Sequence, residues 1–327
     1  MIAAESDDLG QVDGLRSHVY ALAASFDFIQ NGTCFAACEA GLYRSNNHGR
    51  SWHTAYQRLD IDGAITTTAV ALAPANTSEQ QVFAGVPGGI LRSVAGGRSW
   101  FGTTLGAPPP IVTALGVSPN FTDDGTLMAA TLEDGMFRST DRGSYWQSSN
   151  FGLLDLHALC LAISPDFARD QTVFAGTESG VFRSVNGGRS WRELDVPHEL
   201  APVQSLALSP AFGHDGLVFA GTEACGLLVS QDRGATWTRL AENVVSGNVV
   251  SILLGHTFPA RPDVLLLGDG RLILSRDGGS TWSASNHHLP SDGEPTCLLA
   301  PVGLGMDLPV LVGLSEGGVH VITALYD

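Results

Sequence analysis

The chain has 327 residues, 44% of them hydrophobic and only 15% charged, which is ample apolar material for a large core. Its formal net charge is −16 and all 17 basic residues are arginine. A chain this acidic repels phosphate backbones, so nucleic-acid binding is disfavoured, and the lack of lysine excludes Schiff-base chemistry.

No run approaches the roughly 18 apolar residues of a membrane helix, so no membrane insertion is expected. Met1 to Gly10 carries three acidic residues and no apolar stretch, unlike a secretory leader. The cysteines, at 34, 38, 160, 225 and 297, are odd in number and irregular in spacing. Cys34 and Cys38 share one face of a strand but stand roughly 13 Å apart at about 3.3 Å per residue, too far for a disulfide. Free thiols fit a reducing compartment. The expected location is cytoplasmic, or periplasmic or extracellular if a leader has been trimmed. No cofactor and no metal site is implied.

In chain order, apolar first strands begin near Val19, Thr68, Val112, Ala158, Val203, Val249 and Thr296. The unit Val203 to Leu240 is the clearest. An apolar run ends at Pro210, a second strand follows Gly216, a third runs Leu227–Ser230, and a fourth begins near Trp237. Short β-rich runs joined by Gly, Asp and Asn turns predict four-stranded antiparallel units. Seven such units fall at about 17–60, 66–106, 111–151, 157–197, 203–243, 249–289 and 294–327. The seventh lacks a fourth strand, which residues 1–10, Ile2–Glu5 above all, are expected to supply. The fold class predicted is all-β: one seven-bladed β-propeller, closed by an N-terminal strand that completes the last blade.

The first strands alternate in size. Leu22, Val70 with Leu72, Leu115 with Val117, Leu161 with Ile163, Leu206 with Leu208 and Ile252 with Leu254 form one row. Ala21 with Ala23, Ala69 with Ala71, Ala114 with Gly116, Cys160 with Ala162 and Ser205 with Ala207 form the other. Large rows are predicted to meet small rows of the adjoining blade, filling the interior without voids.

All six tryptophans end one repeated phrase, Ser45–Trp52, Ser93–Trp100, Ser139–Trp146, Ser184–Trp191, Ser230–Trp237 and Ser275–Trp282, at intervals of 45 to 48 residues. The fullest copies are Ser230-Gln-Asp232-Arg-Gly234-Ala-Thr236-Trp237 and Ser275-Arg-Asp277-Gly-Gly279-Ser-Thr281-Trp282; Asn47 and Asn186 replace the Asp, and Ala95 removes it. The phrase resembles the Asp-box of the BNR-repeat propellers, a group that includes sialidases, sortilin-type receptors, cellulose-chain and xyloglucan hydrolases and the photosystem II assembly factor. The resemblance covers six sevenths of the chain. It implies that the box is a structural turn facing away from the usual binding surface.

Elementary chemistry agrees. The Asp oxygen folds onto turn N–H groups, the phrase glycines take a left-handed conformation, and the indole packs as a wedge. Arg44, Arg92, Arg138 and Arg183 recur before the box serine, spread around the ring, where pairing with a neighbouring carbonyl or carboxylate is expected rather than a converging anion site.

The seven innermost strands contain no Asp, Glu or Arg. No carboxylate pair at the roughly 5–10 Å of glycoside hydrolysis is placed by the pattern, and no Ser-His-Asp or phosphate-loop signature occurs. His287, His288 and His320 have no ligand-type spacing. The Ser-Pro-x-Phe loops near Asp123, Asp170 and Asp215 offer at most two carboxylates each, too few for calcium, and read as turns with the Phe tucked beneath the blade.

One pattern is left as a candidate binding site. The turn between second and third strands carries an acid in six units, Glu39, Glu133, Glu178, Glu223, Asp269 and Glu316, with Pro87 in the second. Such a circle of carboxylates focuses a negative potential toward a basic partner or cations. The expected function is a non-catalytic protein-interaction scaffold, its partner a basic protein surface or a larger complex. The alternative is a carbohydrate-active protein, either a sialidase-like glycoside hydrolase or a lectin-like binder.

Overall fold

The computed structural model describes residues 15–325 apart from 57–58, 60–62, 75–79, 197–201, 286–288, 290–292, 306–307 and 324. Seven antiparallel sheets, each a blade, follow one another along the chain with strands paired in sequence order. Blade 1 runs Val19–Ala24, Cys34–Cys38, Gly41–Ser45 and His53–Thr54. Blades 2 to 6 repeat this plan, with innermost strands Ala69–Leu72, Val112–Val117, Ala158–Ile163, Val203–Leu208 and Val249–Leu254. Blade 7 has three strands among the described residues, Pro295–Leu299, Val310–Leu314 and Val319–Ile322. The closing strand expected at Ile2–Glu5 lies outside the described residues, as do His287 and His288.

The innermost strands adjoin in sequence order, and that of blade 1 packs on that of blade 7, so the ring closes. Closure removes the exposed edges that an open array would leave. The middle strands carry most of the buried side chains, including Phe35, Phe83, Phe174 and Phe219, all fully buried. Among the described residues no helix is long and apolar enough to cross a membrane.

Large-to-small packing holds from blade to blade. A Cβ on Gly116 would overlap Leu161 and stand 2.9 Å from Ile163 Cδ1 of blade 4, so only hydrogen fits there. Ala21 and Ala23 pack with Val70 and Leu72, and Cys160 packs with Leu206 and Leu208. Where the small row turns large, its neighbour turns small. Leu253 packs into one cluster with Leu298 and Ala300, and Leu299 packs with Leu22 and Ala24. At these interfaces a large side chain thus faces a small one, as a close-packed interior requires.

Among the described residues four one-turn helices follow the first strands: α1 (Phe28–Asn31), α2 (Phe121–Asp124), α3 (Phe167–Asp170) and α4 (Phe212–Asp215). The sequence pattern shows no helical period, and a single turn is too short to have one. Each leading Phe is buried, as expected for Phe121, Phe167 and Phe212 in the Ser-Pro-x-Phe loops, and Phe28 of blade 1 follows the same plan. The acids brace the turns. Ser118 Oγ donates to Asp124 Oδ2 at 2.6 Å and Thr126 N donates to Asp124 Oδ1 at 2.7 Å.

The tryptophan phrases form tight turns on that same face. In blade 5, Gly234 N donates to Ser230 Oγ (2.7 Å), and Thr236 N and Oγ1 donate to Asp232 Oδ1 (2.8 Å) and Oδ2 (2.6 Å). All six phrase glycines have positive φ, between 78° and 97°. Trp237 Nε1 donates to Gly234 O at 3.1 Å. These turns meet the helix loops, since Arg233 N donates to Gly216 O and Arg142 N to Gly125 O. Two of the recurring arginines, Arg92 and Arg183, reach a carbonyl in the next blade's turn. Arg92 Nη1 donates to Arg142 O (3.1 Å) and Ser144 Oγ (2.8 Å), and Arg183 Nη1 to Arg233 O (2.5 Å). They remain spread around the rim.

Candidate functional site

The opposite face carries the turns between second and third strands and the starts of the innermost strands. These two features are tied together. Glu39 N donates to His18 O (3.1 Å), Glu178 N to His157 O (3.3 Å), Glu223 N to Pro202 O (3.0 Å) and Asp269 N to Asn248 O (2.9 Å). Each acceptor precedes the innermost strand of the same blade, so the four carboxylates stand beside the inner ring. In blades 3 and 7 the equivalent donors are Leu132 N, to Ile111 O, and Ser315 N, to Glu294 O. Glu133 and Glu316 therefore sit one residue further along their turns than the other four. Pro87 interrupts the circle in blade 2, as the sequence indicates.

All six carboxylate residues are exposed. Among the described residues none of their side chains makes a hydrogen bond or ion pair, in contrast to Asp124, Asp170 and Asp215 on the other face, which are spent on turns. Free carboxylates on rigid turns can receive cationic donors without first breaking internal bonds. Among the described residues no group of three or more His, Cys, Asp or Glu converges on a point where a metal would sit.

Tyr20 adds an aromatic surface near the axis. It is 39% exposed, and its ring lies 4.5 Å from that of His18. Partial burial, with Glu39 and Cys38 close by, pushes its hydroxyl pKa up, so it stays a neutral donor. Asp155, which sequence reasoning missed, also belongs to this face. Its Oδ2 accepts from Ser179 N (2.8 Å), and its Oδ1 from His157 N (3.0 Å) and Nδ1 (3.2 Å). Partial burial acts to raise its pKa, but donors led by the His157 amide outweigh this and hold it below the usual range. The signal was the Asp-x-His spacing just ahead of a strand, which fits an Asx turn.

An unforeseen feature links the blades at this face. The second residue of most innermost strands is an extra, bulged residue, as the register shifts at Val19/Ala21, Val112/Ala114, Ala158/Cys160, Val203/Ser205, Val249/Ser251 and Pro295/Cys297 record. Bulges re-aim side chains. Thr68 Oγ1 donates to Val112 O (2.5 Å) and Thr113 Oγ1 to Ala158 O (2.7 Å), and Ser205 Oγ, one residue past the bulge at Gln204, donates to Val249 O (2.7 Å). A belt of inter-blade hydrogen bonds therefore runs beneath the carboxylates.

No protein-family profile and no curated protein sequence matches the chain. Solved structures do. A GH74 xyloglucanase from Xanthomonas campestris superposes with TM-score 0.73 at 17% identity, over 97% of this chain and 53% of that one. The chain thus spans about half the length of that enzyme. YCF48 solved bound to a D1 peptide superposes with TM-score 0.67 at 16% identity, over 97% of this chain and 96% of that one. YCF48 from Cyanidioschyzon merolae gives TM-score 0.66 at 13% identity, over 93% and 95%. At such identities the likeness establishes the fold, a seven-bladed propeller, and nothing finer.

Proposed function

We propose that the protein is an Asp-box propeller acting as a non-catalytic interaction platform, which binds a basic protein partner on the face opposite the tryptophan turns. The observation that carries this reading is the set of six exposed, unengaged carboxylates on turns anchored beside the inner ring. Two further points support it. The innermost strands hold no Asp, Glu or Arg with which to do acid–base chemistry. YCF48, which this chain matches along nearly its whole length, was solved with a peptide bound. None of the five cysteines is joined in a disulfide, which favours a reducing compartment such as the cytoplasm.

Comparative capture from the native source tests this. The wild-type chain should retain a partner that a Glu39→Gln, Glu133→Gln, Glu178→Gln, Glu223→Gln variant loses; equal capture by both rejects the face. A carbohydrate-active protein is the second reading, favoured by the superposition on the xyloglucanase. Turnover of any glycoside in a panel, abolished by changing an acid near the axis, would establish it instead.

A further inference from the structure

We propose that the junction between blades 4 and 5, on the side of the tryptophan turns, binds a phosphate-type dianion among Arg183, Arg192 and Arg233. The site lies away from the carboxylate circle, so it goes beyond the platform reading and does not depend on it.

The sheet and one hydrogen bond bring the three arginines together. Arg183, in the third strand of blade 4 (Val181–Ser184), is paired directly with Arg192 in the fourth (Arg192–Glu193). Residues opposite each other in an antiparallel pair share a face, with Cβ atoms about 5 Å apart, and like charges so placed repel. Arg183 Nη1 crosses to the next blade and donates to Arg233 O at 2.5 Å. Arg233 is itself fixed, since its guanidinium lies 5.2 Å from the centre of the Phe212 ring and its Nη2 donates to Gly213 O at 2.7 Å. Partial burial, and then the charges of Arg192 and Arg233, pull the Arg183 pKa down.

Among the described residues, Asp232 is the one acid that acts on Arg183, and its oxygens are already taken by Ser230 Oγ and by the amide and hydroxyl of Thr236. Glu193 is paired with Phe182 and so points to the other face of the sheet. Arg192 is exposed, and among the described residues it makes no hydrogen bond or ion pair. The counterparts of Arg183 in blades 1 to 3 face His53, Phe101 and Gln147 instead. At the blade 2–3 junction Arg92 reaches Arg142 O in the same way, but the third position holds Phe101, on which Arg92 stacks. In a chain of 33 acidic residues and 17 arginines, three gathered arginines with no acid to spare are not a by-product of composition.

Each guanidinium offers five N–H donors in a planar fork. Arg183 and Arg233 spend one apiece on carbonyls. Such forks match the paired oxygens of phosphate or carboxylate. Three positive charges choose between the two. A carboxylate would neutralise one of them, whereas a phosphate dianion neutralises two and leaves the third to Asp232. The phosphate is either the free ion or the head of a phosphate monoester, which present the same oxygens.

The test is titration calorimetry of the full chain, freed of phosphate, against inorganic phosphate, phenyl phosphate and acetate at matched ionic strength. Wild type is compared with Arg192→Gln, with Arg183→Gln/Arg192→Gln and with Arg50→Gln as a control in blade 1. Arg192 and Arg50 are exposed, and thermal unfolding without phosphate checks that each variant is folded. Wild type and Arg50→Gln should bind both phosphates saturably, and Arg192→Gln about tenfold or more weakly. Added phosphate should raise the melting temperature of wild type and not that of Arg183→Gln/Arg192→Gln. Tighter binding of phenyl phosphate marks a phosphate carried on a larger molecule, and equal or tighter binding of inorganic phosphate marks the free ion; either supports the site. Absence of saturable binding, binding that Arg192→Gln leaves unchanged, or acetate held as tightly as phosphate would overturn it. None of these variants touches the carboxylate face, so failure here leaves the platform reading standing.

Discussion

Thr296 Oγ1 donates to Val19 O at 2.6 Å, joining residues 277 apart in sequence and binding the last blade to the first. It is the ring-closing member of the belt that Thr68, Thr113 and Ser205 form elsewhere. Replacing Thr296 with valine keeps the shape and removes the donor. The loss of stability should be about 1 kcal/mol, read as a lower midpoint in urea with an unchanged slope. Gly313 lines the same junction, where a Cβ would sit 2.6 Å from Cys297 Sγ and 2.7 Å from Val19 Cγ1. Gly313→Ala should cost more, about 1–3 kcal/mol, because the junction must open to admit it.

Size compensation at the blade 6–7 interface makes a sharper test. Ala300→Leu alone crowds Leu253, and Leu253→Ala alone leaves a void, so each should destabilise. The Leu253→Ala/Ala300→Leu pair exchanges the two sizes and should recover part of the loss, with a coupling of about 0.5–3 kcal/mol in a double-mutant cycle. Strict additivity would mean that the two side chains do not share a space.

The tryptophan turns give the molecule an acid-sensitive element. Asp232 and Asp277 are pulled down to about 2, first by the hydroxyls of Thr236 and Thr281 and then by backbone N–H groups. Their folded pKa lies below the unfolded value near 3.9. The stability they contribute is therefore fully present above about pH 4 and is lost as pH falls toward about 2. The melting temperature should drop across that window, and less steeply in Asp232→Asn/Asp277→Asn.

Thiol chemistry should be muted. Burial pushes Cys34, Cys38 and Cys160 up to about 12 and Cys297 to about 11, leaving almost no thiolate at neutral pH. Native protein should react with at most one equivalent of a thiol reagent on a minutes scale, the accessible candidate being Cys225, and with all five cysteines after denaturation.

The sequence carried the repeated parts well. The Trp spacing, the Ala/Leu alternation of the first strands and the glycines at 49, 97, 143, 188, 234 and 279 each report a local constraint repeated in nearly every blade. What it did not carry depends on neighbours in space. The bulge that turns Thr113 toward Ala158 is a register event with no signature in one strand alone. The partner of Arg92 is a carbonyl 50 residues away, set by the pitch between blades. The helices α1–α4 span four residues each, below any period. On the candidate face the carboxylate circle was visible, but the one-residue offset of Glu133 and Glu316 shows only in the hydrogen bonds to Ile111 and Glu294.

The decisive measurement is the salt dependence of affinity, by titration calorimetry, between a captured partner and two forms of the chain, wild type and the variant with Gln at 39, 133, 178 and 223. Wild-type binding should weaken steadily as salt rises, while the variant binds more weakly at low salt and responds little to it. Equal affinity and equal salt response in the two forms would contradict the assignment of this face.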